Sequence, residues 1–250
     1  MLKFWPVTIF YLLSAAALVV LQAPWLAWVF LGLSYTLAVV YGSANIDSGF
    51  FIKTVCHGIS DEKTVALTFD DGPDKENTPK ILDLLENEQI KATFFCIGEK
   101  IVQNPSIALR ICNDGHLMGN HSYTHSNFFP LKSVSDIRSE ILKTREIIEE
   151  ISQQTNLYFR PPFGVTNPLI KKALKGLNFK VIGWSIRSFD LSSKSAETIA
   201  GRIIMKLHGG DIILLHDTSD KVLPVLTILL DFFGKNGWKV VSLEELINER

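Results

Sequence analysis

The stretch Thr64-Val65-Ala66-Leu67-Thr68-Phe69-Asp70-Asp71-Gly72-Pro73 decides the fold. An uncharged run of strand-forming residues, Val65–Phe69, ends on two adjacent carboxylates, and the Gly–Pro pair after them turns the chain. Working outward, similar short apolar runs recur at Ala92–Cys96, Leu117–Gly119, Lys180–Trp184, Ile212–Leu215 and Lys239–Val241, with a shorter extended piece at Tyr158–Phe159. Between them lie helical patterns at Pro79–Asn87, Ser135–Glu150, Asn167–Leu177, Ala196–Leu207 and Leu223–Phe233, and Leu243–Asn248 ends the series. Thr78 is placed to N-cap the first of these helices. Ile137, Ile141, Ile147 and Ile148 recur at helical spacing in the second. About seven strand–helix units in this order predict a parallel α/β domain, either a barrel or an open sheet.

The polar residues of interest follow the strands. Asp70 and Asp71 end the first, His121 follows the third, Arg160 follows the extended piece and His216 ends the Ile212–Leu215 run. Parallel α/β folds gather the carboxyl ends of their strands on one face, so these groups converge on one rim. In His121-Ser122-Tyr123-Thr124-His125 the two histidines share a face if the segment is helical, or point together from a tight loop. Two imidazoles and a carboxylate suit a divalent metal, and three protein ligands leave room for a water whose pKa the metal lowers. Adjacent aspartates divide naturally into one ligand and one free base. Alone, the histidine pair reads as ordinary histidines and Asp-Asp-Gly-Pro as a turn; together at matching strand ends they point to a metal site. His216 would protonate a leaving nitrogen, with Asp190 as the carboxylate that keeps it charged. Arg160 would pair with the free aspartate. His116 reads as structural, and His57 and His208 carry no assigned role.

The 250 residues carry a net charge of −1, which gives no sign of nucleic-acid binding. Cys56, Cys96 and Cys112 form no CxxC pair, so a cysteine-based zinc site is not expected. The first 42 residues are a separate matter. Uncharged runs at Phe4–Leu21 and Trp25–Tyr41 are broken by Gln22-Ala23-Pro24, with Trp5, Trp25, Trp28 and Tyr41 towards their ends. Each run, roughly 17–18 residues long, about spans a hydrocarbon core, and the pair predicts a membrane hairpin. A signal peptide followed by one anchor, or a buried soluble helix pair, are the alternatives. Lys3 and Lys53 flank the pair and weakly favour both ends in the cytoplasm.

At these residues the sequence resembles the polysaccharide deacetylase family, carbohydrate esterase family four. The resemblance runs from about Thr64 to Ser242 and rests on four stretches: Thr68–Pro73, His121–His125, Arg160-Pro161-Pro162-Phe163-Gly164 and Leu214-Leu215-His216-Asp217. It implies a distorted (β/α) barrel with fewer than eight strands. By position it implies Asp70 as general base, Asp71, His121 and His125 as metal ligands, His216 as general acid and Arg160 as support for Asp70. It also implies the Phe163 N–H as an oxyanion donor, Leu214 as lining for the acetyl methyl group, and Trp184 in the sugar groove. The fourth family motif departs from the pattern: in Trp184-Ser185-Ile186-Arg187-Ser188-Phe189-Asp190-Leu191, Arg187 stands for an aspartate and Leu191 for a tryptophan, while Asp190 remains.

The expectations are an α/β chain with a transmembrane hairpin at 1–42, a linker at 43–62 and a catalytic domain at 63–250, about seven parallel strands curling into a distorted barrel. The expected cofactor is a divalent metal, zinc first, with cobalt or nickel able to substitute. The expected activity is removal of N-acetyl groups from amino sugars of a peptidoglycan- or chitin-like glycan. Hydrolysis of another amide, such as a deformylation on a lipid-linked amino sugar, is the alternative within the same chemistry. A membrane-held, non-catalytic carbohydrate-binding relative is the alternative from another class.

Overall fold

The computed structural model describes residues 3–59 and 62–248. Nine strands pair into one sheet, and every paired strand is parallel to its neighbour. They are β1 (Thr54–Val55), β2 (Thr64–Gly72), β3 (Thr93–Cys96), β4 (Leu117–Asn120), β5 (Tyr158–Phe159), β6 (Lys180–Ile182), β7 (Ile186–Arg187), β8 (Asp211–His216) and β9 (Lys239–Val240). Their order is β1-β6-β5-β4-β3-β2-β8-β7, with β9 beside the start of β2. β6 and β7 are consecutive in the chain but stand near opposite ends of this order, so the sheet curls into a (β/α) half-barrel. Residues 183–185 cross the seam, the Gly183 N–H donating to Val55 O and the Ser185 N–H to Ile212 O.

Side-chain alternation explains the layers. On β8, Ile213 and Leu215 pack outward against helices α3 (Asn77–Asn87), α8 (Ala196–Met205) and α9 (Val222–Asn236), whose apolar faces supply Ile81, Leu82, Leu85, Ile203, Leu226 and Leu229. Ile212 points the other way, into a small interior cluster with Ala66, Phe95, Tyr158 and Ile182. Asp70 and His216 belong to this interior set by the same alternation, and their Cα positions are direct partners across β2 and β8. A third cluster joins α6 (Val134–Ser152) to α7 (Pro168–Leu174) through Ile137, Ile141, Ile170 and Ala173.

The seven expected strands are all present; Tyr158–Phe159 keeps its bounds, five shift by one or two residues in length, and β2 is four residues longer than expected because it runs through Asp70 and Asp71 to Gly72. β1 and β7 are additional: each has two residues, too few for a periodic signal. The stretch between Cys96 and Leu117 holds α4 (Gly98–Gln103) and α5 (Pro105–Asn113), split where Pro105 opens the second helix. Thr78 is not the N-cap of α3. It lies inside the first turn, where its Oγ1 accepts from the Asp74 N–H and donates to Asp217 Oδ2 at 2.5 Å; Asp74 Oδ1 takes the Glu76 and Asn77 N–H groups instead.

At the N-terminus α1 (Phe4–Val20) and α2 (Trp25–Ala44) pack side by side. By length and composition α2 is apolar enough to cross a membrane, whereas α1 is shorter. Residues 43–59 do more than connect. Ile46, Phe50, Phe51 and Cys56 are buried, β1 pairs with β6, and Ser43 exchanges hydrogen bonds with Thr166. α10 (Leu243–Asn248) closes the foot of the barrel with Leu243 and Leu246.

Phe95 is fully buried in the barrel interior, so Phe95→Ala is expected to cost about 3–5 kcal/mol. A fall in the urea midpoint of the detergent-solubilised chain measures it.

Candidate active site

The site is built where β2, β4, β5 and β8 end. β2 carries an irregularity between Asp70 and Gly72: Asp70 pairs with Phe95 but Gly72 pairs with Cys96. Asp71 takes a positive φ of 74° there, so both carboxylates reach the same rim. Gly72 is required next to them, because a Cβ would fall 1.9 Å from Asp217 Oδ2. Asp217 itself is buried, and burial pushes its carboxyl up to about 7.

His121 and His125 follow β4 in a tight loop rather than a helix, with Ser122 and His125 both at positive φ. Asp71 Oδ1 lies 3.5 Å from His121 Nε2 and 3.3 Å from His125 Nε2. One donor atom from each of the three residues fits within 4.8 Å of the others. His121 Nδ1 lies 2.7 Å from Arg160 O, so Nδ1 donates to that carbonyl and Nε2 is the nitrogen that faces Asp71. Burial and the neighbouring His121 hold His125 down at about 4, so its ring is neutral at neutral pH. Burial works against the charge on Asp71, but His121 and His125 outweigh it and hold the carboxyl well below the usual range. A neutral His125 ring, an ionised carboxylate and His121, whose Nδ1 is committed to Arg160 O, are a donor set that fits a divalent cation.

Beside this triad, Arg160 is fully buried and donates to Asp70 Oδ1 at 2.6 Å and to Thr68 Oγ1 at 2.8 Å through Nη1. Asp70 Oδ2 lies 3.8 Å from His121 Nε2. On β8, His216 Nδ1 donates to Asp190 Oδ1 at 2.7 Å, and its own N–H donates to Asp190 Oδ2 at 2.8 Å. Burial opposes charge on His216, but the Asp190 bond, with Asp70 and Asp71 nearby, raises its pKa overall. Burial also pushes Asp190 up, and the His216 bond brings it net below its ordinary value.

The remaining sequence candidates lie close to these groups in the fold. Phe163 has a φ of 61°, and its ring meets that of His125 at 4.7 Å, which puts its side chain beside the triad. Gly164 follows at positive φ, and a Cβ there would strike the Trp184 ring at 2.3 Å; Trp184 therefore backs the Phe163 turn. Leu214 is buried on the interior face of β8, two residues before His216 and opposite Arg187 of β7. His116 sits at the other end of β4, its Nδ1 accepting the Ala92 N–H.

With this arrangement in hand, the similarity to known proteins is direct. The sequence profile of the polysaccharide deacetylase family matches residues 57–182. This chain belongs to that family. It is 39% identical over 176 residues to a peptidoglycan-N-acetylglucosamine deacetylase of Bacillus cereus, covering 65% of this chain and 62% of the relative. It therefore spans under two thirds of that relative's length. To the peptidoglycan-N-acetylmuramic acid deacetylase PdaA of Bacillus subtilis it is 32% identical over 197 residues, covering 77% of this chain and 74% of the relative. Among solved structures, a CE4 family pseudoenzyme from Bacillus anthracis superposes with a TM-score of 0.73 at 29% identity, covering 79% of this chain and 69% of that one. Deacetylases of the family depend on a metal, which the Asp71, His121 and His125 donors suit.

Several supporting residues escaped the sequence reading. Glu140, buried on α6, accepts the N–H groups of Tyr123 and Thr124 and the Thr124 hydroxyl, and pairs with Lys132. Asn120 Oδ1 accepts the Ser122 N–H. Ser188 Oγ donates to Asp190 Oδ1, and Ser219 Oγ to Asp190 O. The signal for Glu140 was present: it falls three residues after Ile137 on the apolar stripe of α6, where a carboxylate requires a partner. Glu140→Gln is expected to loosen the histidine loop and to weaken zinc binding about tenfold, read by calorimetric titration of the metal-free chain.

Proposed function

We propose that this protein hydrolyses the N-acetyl groups of amino sugars in a peptidoglycan- or chitin-like glycan, and that α1 and α2 form a membrane hairpin that holds it at a bilayer. One observation carries the catalytic reading: a three-donor cation site, an Arg-held carboxylate and an Asp-held histidine open onto the same rim. The relatives named for deacetylation of N-acetylglucosamine and N-acetylmuramic acid support the substrate class. A pseudoenzyme among the structural neighbours means that family membership alone does not carry catalysis, so the argument rests on these side chains.

In the proposed mechanism Asp71, His121 and His125 hold the divalent cation, with zinc the expected metal. When bound, it supplies Lewis acidity towards the amide carbonyl and the attacking water. Asp70 is the general base: Oδ1 is occupied by Arg160, and Oδ2 takes the proton of the water as it attacks. The Phe163 N–H donates to the developing oxyanion. Leu214 receives the acetyl methyl group, and Trp184 walls the sugar groove. His216 holds its Nδ1 proton against Asp190, so Nε2 delivers a proton to the leaving nitrogen, and acetate and the free amine depart.

Acetate release from N-acetylglucosamine oligomers by the full chain in detergent, with and without chelator, tests the reading. A fragment starting at residue 61 is unsuitable because it removes β1 and the buried Ile46 and Phe50. Asp70→Asn is expected to keep zinc affinity and lower kcat by about 10²–10⁴-fold. His121→Ala is expected to lose both. Near-normal turnover in Asp70→Asn would remove Asp70 from the role of base.

The raised pKa of His216 keeps the acid protonated above the usual histidine range, and activity is then lost as pH rises through that raised value. Asp190→Asn removes the main raising influence. The alkaline limb of the kcat/KM profile should therefore move to lower pH, and an unmoved limb would separate Asp190 from the acid.

A lipid-linked amino sugar is the second reading, favoured by one contact. The loop carrying Arg160 and Phe163 runs directly to Thr166, whose N–H donates to Ser43 O at 3.0 Å at the end of α2. A reporter fused after the C-terminus would separate the readings, because a cytoplasmic domain has no access to a mature cell-wall polymer.

A further inference from the structure

A groove of about 540 Å³ lies where the foot of α1 meets α7, and none of its lining residues belongs to the candidate active site. Phe4, Trp5 and Phe51 line it, together with Lys171, Lys172 and Lys175. The apolar and cationic parts have different origins. The Phe4 N–H donates to Phe50 O at 3.1 Å, which pins the first turn of α1 to the buried Phe50–Phe51 pair. Trp5 stays 66% exposed, and the apolar surface continues down the hairpin through Leu12 and Leu13, also exposed. On α7, Ile170 and Ala173 face the domain core, which turns Lys171 and Lys172 outward, and Lys175 follows at the helix end.

The charge at this place is unbalanced. From Ile151 to Phe189 the chain has six Lys or Arg and no Asp or Glu. Arg160 is neutralised by Asp70, but among the described residues no carboxylate pairs with Lys171, Lys172 or Lys175. Arg138 adds to the field: its Nη1 donates to Ala173 O and Lys175 O, both at 2.9 Å. It thereby covers the carbonyls at the end of α7, the partial negative charge that would otherwise repel an anion. Lys3, exposed, stands just before α1.

From this geometry we infer that the groove binds one anionic glycerophospholipid of the surrounding leaflet, its phosphate on Lys171, Lys172 and Lys175 and its acyl chain along Phe4, Trp5 and Phe51. The inference rests on the membrane-hairpin reading. Height and chemistry both favour this occupant. The first turn of a spanning helix lies at the headgroup level, where tryptophan is preferred and basic side chains attract anionic lipid. An aromatic wall beside a cationic one suits a molecule with a charged head and an apolar tail.

The experiment uses the full chain in detergent doped with equimolar phosphatidylglycerol and phosphatidylcholine, with retained lipid counted by native mass spectrometry. Wild type is expected to retain phosphatidylglycerol about tenfold over phosphatidylcholine. The triple variant Lys171→Gln, Lys172→Gln, Lys175→Gln should lose that preference, while Lys75→Gln, Lys206→Gln, Lys239→Gln, at exposed lysines elsewhere, should keep it. Equal retention of the two lipids by wild type, or equal loss in both triple variants, overturns the inference. Displacement of the lipid by millimolar inorganic phosphate also overturns it, since the site would then be one for a free anion. The anchor is scored separately: release of the chain from phosphatidylcholine vesicles by alkaline carbonate sinks the hairpin reading, whatever the lipid count.

Discussion

Arg160 is the residue on which the rest of the site depends. Its guanidinium is fully buried inside the barrel, with Phe95 stacked at 4.1 Å. It donates to Asp70, to Thr68, to Ile182 O at 3.3 Å and to Gly183 O at 2.7 Å. One side chain thus ties β2 to β5, β6 and the seam where the half-barrel ends. Its backbone does a second job, because Arg160 O takes the Nδ1 proton of His121 and so fixes which nitrogen faces Asp71. A buried ion pair is weak evidence for stability, since the desolvation of both charges rivals their attraction. The return here is geometric. A carboxylate with one oxygen committed to Arg160 has the other held in a known place, and the histidine is oriented from the same residue.

Several residues near that pair adopt left-handed backbone, as do Gln22, Gln89, Gln153 and Asn178 elsewhere in the fold. Asp71, Ser122, His125, Phe163 and Phe189 all take positive φ, and the first four surround the cation donors. Non-glycine residues persist in that region only when neighbours over-determine them. Each of the first four has such a neighbour: the paired strands β3 and β8 flank Asp71, Asn120 and Glu140 hold the histidine loop, and Trp184 backs the Phe163 turn. Strain held by surrounding bonds keeps donors in place before any ligand arrives, which is the condition for electrostatic preorganisation.

The sequence was most legible where a strand of adequate length ends in a polar residue. β2 and β8 are apolar for several residues and stop on Asp70 and His216, so strand, register face and chemistry could be read together. Asp190 was also legible as a candidate partner for His216, and the two side chains lie 2.7 Å apart. The supporting bonds were harder. Thr68 and Ser188 are ordinary strand and loop residues whose value appears only when β5 and β8 are brought beside them. β1 was hidden because Phe50 and Phe51 follow a hydrophobic hairpin, and a two-residue strand has no period to detect. Thr78 looked like a helix cap because threonine favours that position, but the buried Asp217 carboxylate competes for its hydroxyl and wins.

The packing of residues 43–59 changes what an anchor would do. A flexible linker of about 20 residues has a root-mean-square reach of roughly 25 Å, and a domain on such a tether samples many heights and tilts above a bilayer. Here Ser43 Oγ donates to Thr166 O at 2.8 Å and accepts the Thr166 N–H in return through its carbonyl. A Cβ on Gly42 would lie 2.3 Å from the Phe50 ring, so the end of α2 is close-packed as well. Thr166 is only three residues beyond Phe163. With α2 across a bilayer as proposed, the rim would keep one orientation to the membrane, because the loop that holds Asp70 and His121 in place is bonded to the end of the helix. Such a site selects substrate by position as well as by chemistry: glycan or lipid-linked sugar lying at the height of the rim is reached, and polymer further from the surface is not.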